Sequence, residues 1–453
     1  MSLSSAEIVR ILSSLGVLLT FAHVFGYLFR RIRQPRVIGE ILGGLVLGPT
    51  LLGTLLPGVQ DWLFPSTGAT ATVLATVYQF GLLLLMFLAG TEMRLSWRPA
   101  ERRVVGIVTG TGTLLPLGAG FLVLLGFDPS GLAGPSSQPA ALGLVFAIAI
   151  AVTSIPVISR IMHDLGILDT AFARIVLSVA VLEDLILYVL LAIALALVQR
   201  SEADVFGLPA LLGVDPSSAA GIAYHVAAAL LLFAVLVAVG PVILRVGVRS
   251  RLNVLKRASP IASQLLLLFL VTGLALSLGV APVFGAFAAG IVAATARGPR
   301  ALQARSSIAD FAFAFFIPLY FAIVGLQLDL IRRFDLVFFL LLLVFASVAK
   351  ALSVYLGARL AGDDNRSARN LAVALNARGG PGIVLASVSF DAGIINEEFY
   401  SALVMLAIVT SLMAGAWLER LVRSGAELRG ERPTPAPGRR EARGDRLERG
   451  EDR

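Results

Sequence analysis

The sequence predicts an all-helical protein that crosses a membrane many times, on three observations. Apolar runs of about 20 residues, the length a helix needs to cross a bilayer, recur along almost the whole chain. Hydrophobic residues make up 57% of 453 while charged residues make up 15%, and mean hydropathy is +0.88. Soluble proteins carry about 25% charged residues. Lys and Arg, finally, gather in alternate connections between the runs. A membrane β-barrel would need strictly alternating segments of about ten residues, and none is present.

The runs define thirteen spans: 7–29, 37–53, 70–90, 104–126, 140–160, 171–199, 219–244, 260–278, 281–296, 308–327, 335–359, 369–391 and 398–420. The first is too long for a signal-peptide core and is followed by basic residues, so it reads as a retained span. The odd-numbered connections, among them "RRIRQPR" (30–36), "RLSWRPAERR" (94–103) and "RVGVRSRLNVLKR" (245–257), hold 21 Lys/Arg, against 3 in the even-numbered ones. Lys and Arg stay on the cytoplasmic side, so the expectation is N-terminus outside and C-terminus inside. The net charge of +8 therefore orients the chain; it does not call for a nucleic-acid partner.

Residues 424–453 carry 8 Arg against 7 acids and almost nothing apolar. Such a stretch cannot bury enough surface to fold, and a disordered cytoplasmic tail is expected. The chain has no cysteine, which excludes disulfides, thiolate metal sites and iron–sulfur clusters. No His/Asp metal cluster and no nucleophile motif appears, so neither an enzyme nor a cofactor is expected.

Few ionisable groups remain at membrane depth. "SVAVLEDLILYVLL" (178–191) places Glu183 and Asp184 together in span six, where each carboxylate costs roughly 2.5–3.5 kcal/mol at the bilayer centre. The chain has two lysines, and Lys350 is in the middle of span eleven. Unlike Arg, a buried Lys can lose its proton, so it either pairs with an acid or titrates. Neighbouring helix residues point about 100° apart. One acid can thus face Lys350 while the other faces a hydrated cavity. Arg378 lies in span twelve, and Glu40 is shallower, in the first turn of span two. His23, His163 and His225 form no pattern and are read as structural.

Two spans carry breaks. "AVTSIPVISR" in span five holds Thr153, Ser154 and Pro156; "NARGGPGIVLA" in span twelve holds Gly379, Gly380, Pro381 and Gly382. Pro removes an amide donor, and Gly weakens a helix interior. Irregular backbone at membrane depth occurs where it is buried or lines a cavity, and paired interruptions point to a transporter site. The breaks are the middle members of two triplets, spans four to six and eleven to thirteen. An offset of seven spans makes the triplets opposite in orientation, which is the logic of an inverted repeat.

Several motifs in order resemble the cation:proton antiporter-2 family, which includes bacterial Na+/H+ and K+/H+ exchangers. They are "QPRVIGEILGGLVLGPTLLG" (34–53), "FGLLLLMFLAGTEM" (80–93), "TSIPVISRIMHDLGIL" (153–168), "APVFGAFAAGIVAA" (281–294) and "FFIPLYFAIVGLQLDL" (315–330). The resemblance covers about residues 8–423. It implies a transmembrane exchanger domain over 1–423, with a core (104–199 and 335–423), a dimer panel (7–90 and 260–327) and a linker helix (219–244). The two broken helices cross within the core, and the panel forms a homodimer in the lipid of the cell membrane.

The resemblance also makes Asp184 the residue that binds cation or proton. It makes Glu183 the acid that pairs with Lys350 in electrogenic members, and puts Thr153 and Ser154 in the unwound stretch near the ion. Glu at 183, where Asp is more familiar, is a departure that leaves the acid pair intact. The expected activity is exchange of Na+ or K+ (or Li+) for protons. Arg378 is expected either to neutralise charge at the crossing or to serve structure alone. Two alternatives stay open, a K+ efflux channel on the same cavity and a non-transporting sensor.

Overall fold

A computed structural model describes residues 3–32, 34–92, 101–154, 158–159, 161–162, 165–168, 170–198, 207–214, 218–249, 259–296, 298–425 and 428. Among them the secondary structure is helical apart from one isolated bridge, Ala133 to Ile395. The main helices are α1 (Ser5–Arg31), α2 (Arg36–Leu47), α3 (Ala69–Glu92), α4 (Arg102–Leu124), α5 (Pro139–Ala151), α6 (Ala171–Ala196) and α7 (Ala219–Arg249). They continue with α8 (Pro260–Ser277), α9 (Pro282–Ala294), α10 (Pro299–Leu326, with a π-turn at Ala312–Phe316), α11 (Leu336–Leu360), α12 (Asn365–Ala374), α13 (Gly379–Asp391) and α14 (Glu397–Arg423).

Among the described residues, ten helical segments are long and apolar enough to span a bilayer (α2 together with the turns after it, Arg36–Leu55), and eleven if the bent α12–α13 pair counts as one; α5 and α9 are shorter apolar helices. Helix α10 begins at Pro299, inside the stretch 297–305 expected as a connection. Its first turns are polar, and hydropathy alone does not separate a polar helical turn from a loop. Helix α7 likewise runs past the expected end of the linker, to Arg249.

The helices pack in two groups. Helices α4, α5, α6, α11, α13 and α14 pack on one another; α1, α2, α3, α8, α9 and α10 form a second set, and α7 rests on α6 and α9. Small residues allow close approach between apolar helices. At Gly44 a Cβ would collide with the Ala322 carbonyl, and at Gly325 with that of Ile41, so α2 and α10 meet backbone to backbone.

Both predicted breaks are interrupted helices. Helix α5 ends at Ala151, and residues 152–154 are non-helical. Helices α12 and α13 are bent by 40° across residues 375–378. Gly379 has φ +26°, a conformation costly for residues with a Cβ. Pro156, His163 and most of the expected tail lie outside the described residues. Leu428 departs from that expectation: it is buried, and its carbonyl accepts from Asn370 Nδ2 at 3.1 Å. The two broken spans are also tied at their far ends. Gly134 N donates to Ile394 O (3.0 Å), Ser136 N to Gly393 O (2.9 Å) and Asn396 N to Leu132 O (3.0 Å).

Candidate functional site

Helix α6 supplies the acids. Thr170 caps its start by accepting from Ala173 N, and 26 helical residues follow. Arg174 near that start pairs with Glu101 at 2.8 Å. Glu183 and Asp184 are both buried, at 0% and 3% exposure, and they diverge as adjacent helix positions must.

Glu183 Oε1 lies 2.9 Å from Lys350 Nζ, and neither side chain is exposed. The same ammonium donates to Gly112 O at 2.8 Å and to Ala151 O at 2.7 Å. Two hydrogen bonds and one ion pair, to α4, α5 and α6, thus surround the ammonium. The structure brings Glu183 and Lys350 together.

Asp184 faces elsewhere. Its Oδ1 makes no hydrogen bond among the described residues. It lines a small pocket with Ile148, Val152, Leu187, Tyr188, Pro381 and Leu385, with room for roughly one water. Val152 belongs to the first break and Pro381 to the first turn of α13, just after the second, so the pocket lies between the two. Thr153 and Ser154 are fully buried, and the Thr153 hydroxyl donates to Leu375 O at 2.8 Å across the crossing. Gly379 N donates to Ser411 Oγ of α14 at 3.0 Å; Gly380 is buried beside it.

Arg378 is 1% exposed. Its guanidinium donates to Ala149 O (3.2 Å), Ile150 O (3.0 Å), Ala346 O (2.7 Å) and Asn376 Oδ1 (2.7 Å). The last carbonyls of a helix have no intrahelical partner, and the C-terminal end of the dipole is negative. Arg378 and Lys350 between them cap the three final carbonyls of α5, at 149, 150 and 151. These contacts tie Arg378 to the end of α5 and to α11.

Sequence reasoning missed the carbonyls of Gly112 and Ala346 and the side chains of Asn376 and Ser411. Backbone acceptors leave no residue-type signature. Of the histidines, His23 Nε2 is 2.9 Å from Ala314 O, with its other ring nitrogen against the Arg36 guanidinium, and His225 Nδ1 is 3.2 Å from Gly279 O; each thus ties its helix to a segment distant in sequence.

Two interrupted helices meeting beside a buried acid pair are the arrangement of a membrane transport site. A family model described as sodium/hydrogen exchanger, transmembrane, matches residues 18–424. The chain belongs to that family. It is 30% identical over 420 residues to the Na(+)/H(+) antiporter NhaS4 of Synechocystis, covering 89% of this chain and 95% of that one. It is 25% identical to the Na(+)/H(+)-K(+) antiporter GerN of Bacillus cereus, covering 89% and 94%. It is 28% identical to the K(+)/H(+) antiporter 1 of Saccharomyces cerevisiae, spanning 90% of this chain but 46% of that longer protein. The fold matches the sodium proton antiporter MjNhaP1 of Methanocaldococcus jannaschii with a TM-score of 0.63 at 16% identity, over 94% of this chain and 100% of that one.

Proposed function

We propose that the protein is a secondary active antiporter of a cell membrane that exchanges Na+ or K+ for protons by alternating access. The observation that carries this reading is the Asp184 carboxylate, with an unpartnered oxygen in a pocket between the two breaks. The relatives named for Na+/H+ and K+/H+ exchange support the same pair of substrates. Asp184 holds either a proton or one monovalent cation, never both, and that competition couples the two fluxes. Hard oxygen ligands suit such cations; Ser154, Thr153, backbone carbonyls and water complete the shell.

Cation binding draws Glu183 from Lys350, the ammonium then gives up a proton, and transport becomes electrogenic. The group α4–α6 with α11–α14 moves as a core against a panel built from the other set, which forms a homodimer in the bilayer. Competition also fixes the pH dependence: the apparent KM for cation rises as pH falls, because protons occupy Asp184.

The test is proton flux in proteoliposomes with Na+, K+ or Li+ added in turn, beside Asp184→Asn. Cation-driven proton release that is lost in the variant supports antiport and names the ion. No response to any cation, or unchanged flux in the variant, overturns it and favours a channel or sensor.

A further inference from the structure

Helix α4 carries a proline in its interior, Pro116. A helical proline lacks the N–H that would bond the carbonyl four residues earlier, and its ring pushes that carbonyl aside. Four residues earlier is Gly112, whose carbonyl accepts from Lys350 Nζ at 2.8 Å. Gly112 is also where a side chain would intrude on the site: a Cβ there would lie 2.5 Å from Glu183 Oε1. The turn "GTLLP" (112–116) thus frees an acceptor and clears the space in front of it.

We propose that Pro116 is a positioning residue for ion exchange, holding the Gly112 carbonyl free as a fixed acceptor for Lys350. Together with Ala151 O at 2.7 Å, it keeps the lysine nitrogen seated by its two remaining N–H groups once Glu183 is drawn to the cation and the third proton has left. The lysine stays in place and the acid moves. This rests on the antiport reading above. If the carbonyl returned to its helical partner, Lys350 would lean harder on Glu183. A cation would then compete against a tighter ion pair.

The experiment measures exchange by the purified full chain in proteoliposomes for wild type, Pro116→Ala and Pro116→Val. Both variants restore the N–H, while Val keeps roughly the volume of Pro. The expected result is the same rise in cation KM in both, about tenfold for a weakened charged hydrogen bond, with kcat within about twofold. A shift in Pro116→Ala that Pro116→Val abolishes would assign the residue to packing and overturn the proposal. So would wild-type KM in both variants. Asp184→Asn in the same series separates the two readings: if it retains exchange the antiport site itself is wrong, whereas a dead Asp184→Asn beside unaltered Pro116 variants removes only the positioning role.

Discussion

Lys350 and Glu183 form an ion pair with both side chains fully buried. Lys350→Met would strand the carboxylate, and breaking a buried pair from one side costs about 3–5 kcal/mol. The loss should appear as a lower melting temperature in detergent and be largely reversed when Glu183→Gln is added, since no charge is then left unpaired. Failure of the double variant to recover would mean that the lysine is held chiefly by the Gly112 and Ala151 carbonyls. The acids and Lys350 were legible in the sequence because charges are expensive in an apolar span. The carbonyl ligands were not, because every residue has one; the proline at 116 was the available signal for the carbonyl at Gly112.

Two elements make their own predictions. Gly379 opens α13 at φ +26°. Gly379→Ala should cost about 1–2 kcal/mol from the left-handed conformation, read as a melting shift, and an unchanged melt would contradict the strain. Asp364 caps α12, accepting from the amides of Arg366 and Ser367. Ser367, through its side chain and then its amide, holds the Asp364 carboxyl below its ordinary value. A lowered pKa gives stability that is present above roughly pH 4, the unfolded value, and lost as pH falls through the folded one. Asp364→Ala should lose about 1 kcal/mol at neutral pH and less in acid, whereas an equal loss at both would exclude the charge. The breaks themselves were visible as Pro and Gly clusters. The start of α10 was not, because its first turns are polar and amphipathic, and hydropathy finds membrane depth and not helix ends.

At the scale of the molecule, α3 and α13 belong to different packing groups, and Tyr78 bridges them by donating to Asp391 Oδ2 at 3.0 Å. If exchange needs the groups to move past one another, joining Tyr78→Cys to Asp391→Cys with a short thiol-reactive spacer should arrest it, and reduction should restore it. Continued exchange in the linked protein would mean that these two groups do not slide at this contact. The helical bundle was readable from hydropathy. Which helices form each group was not readable from hydropathy, because all faces of an apolar helix look alike to it; the division into 104–199 with 335–423 and 7–90 with 260–327 came from the resemblance alone.

The Ala133–Ile395 bridge has the opposite mechanical meaning. It joins the far ends of the two interrupted spans, so that if exchange displaces α5, α13 should travel with it. A rivet inside a moving part can be made permanent without stopping the machine. The chain has no cysteine of its own, so Ala133→Cys with Ile395→Cys would form a single defined disulfide. That cross-link should be silent in transport, and the pair would serve as the fixed reference point against which any other motion of the protein is gauged.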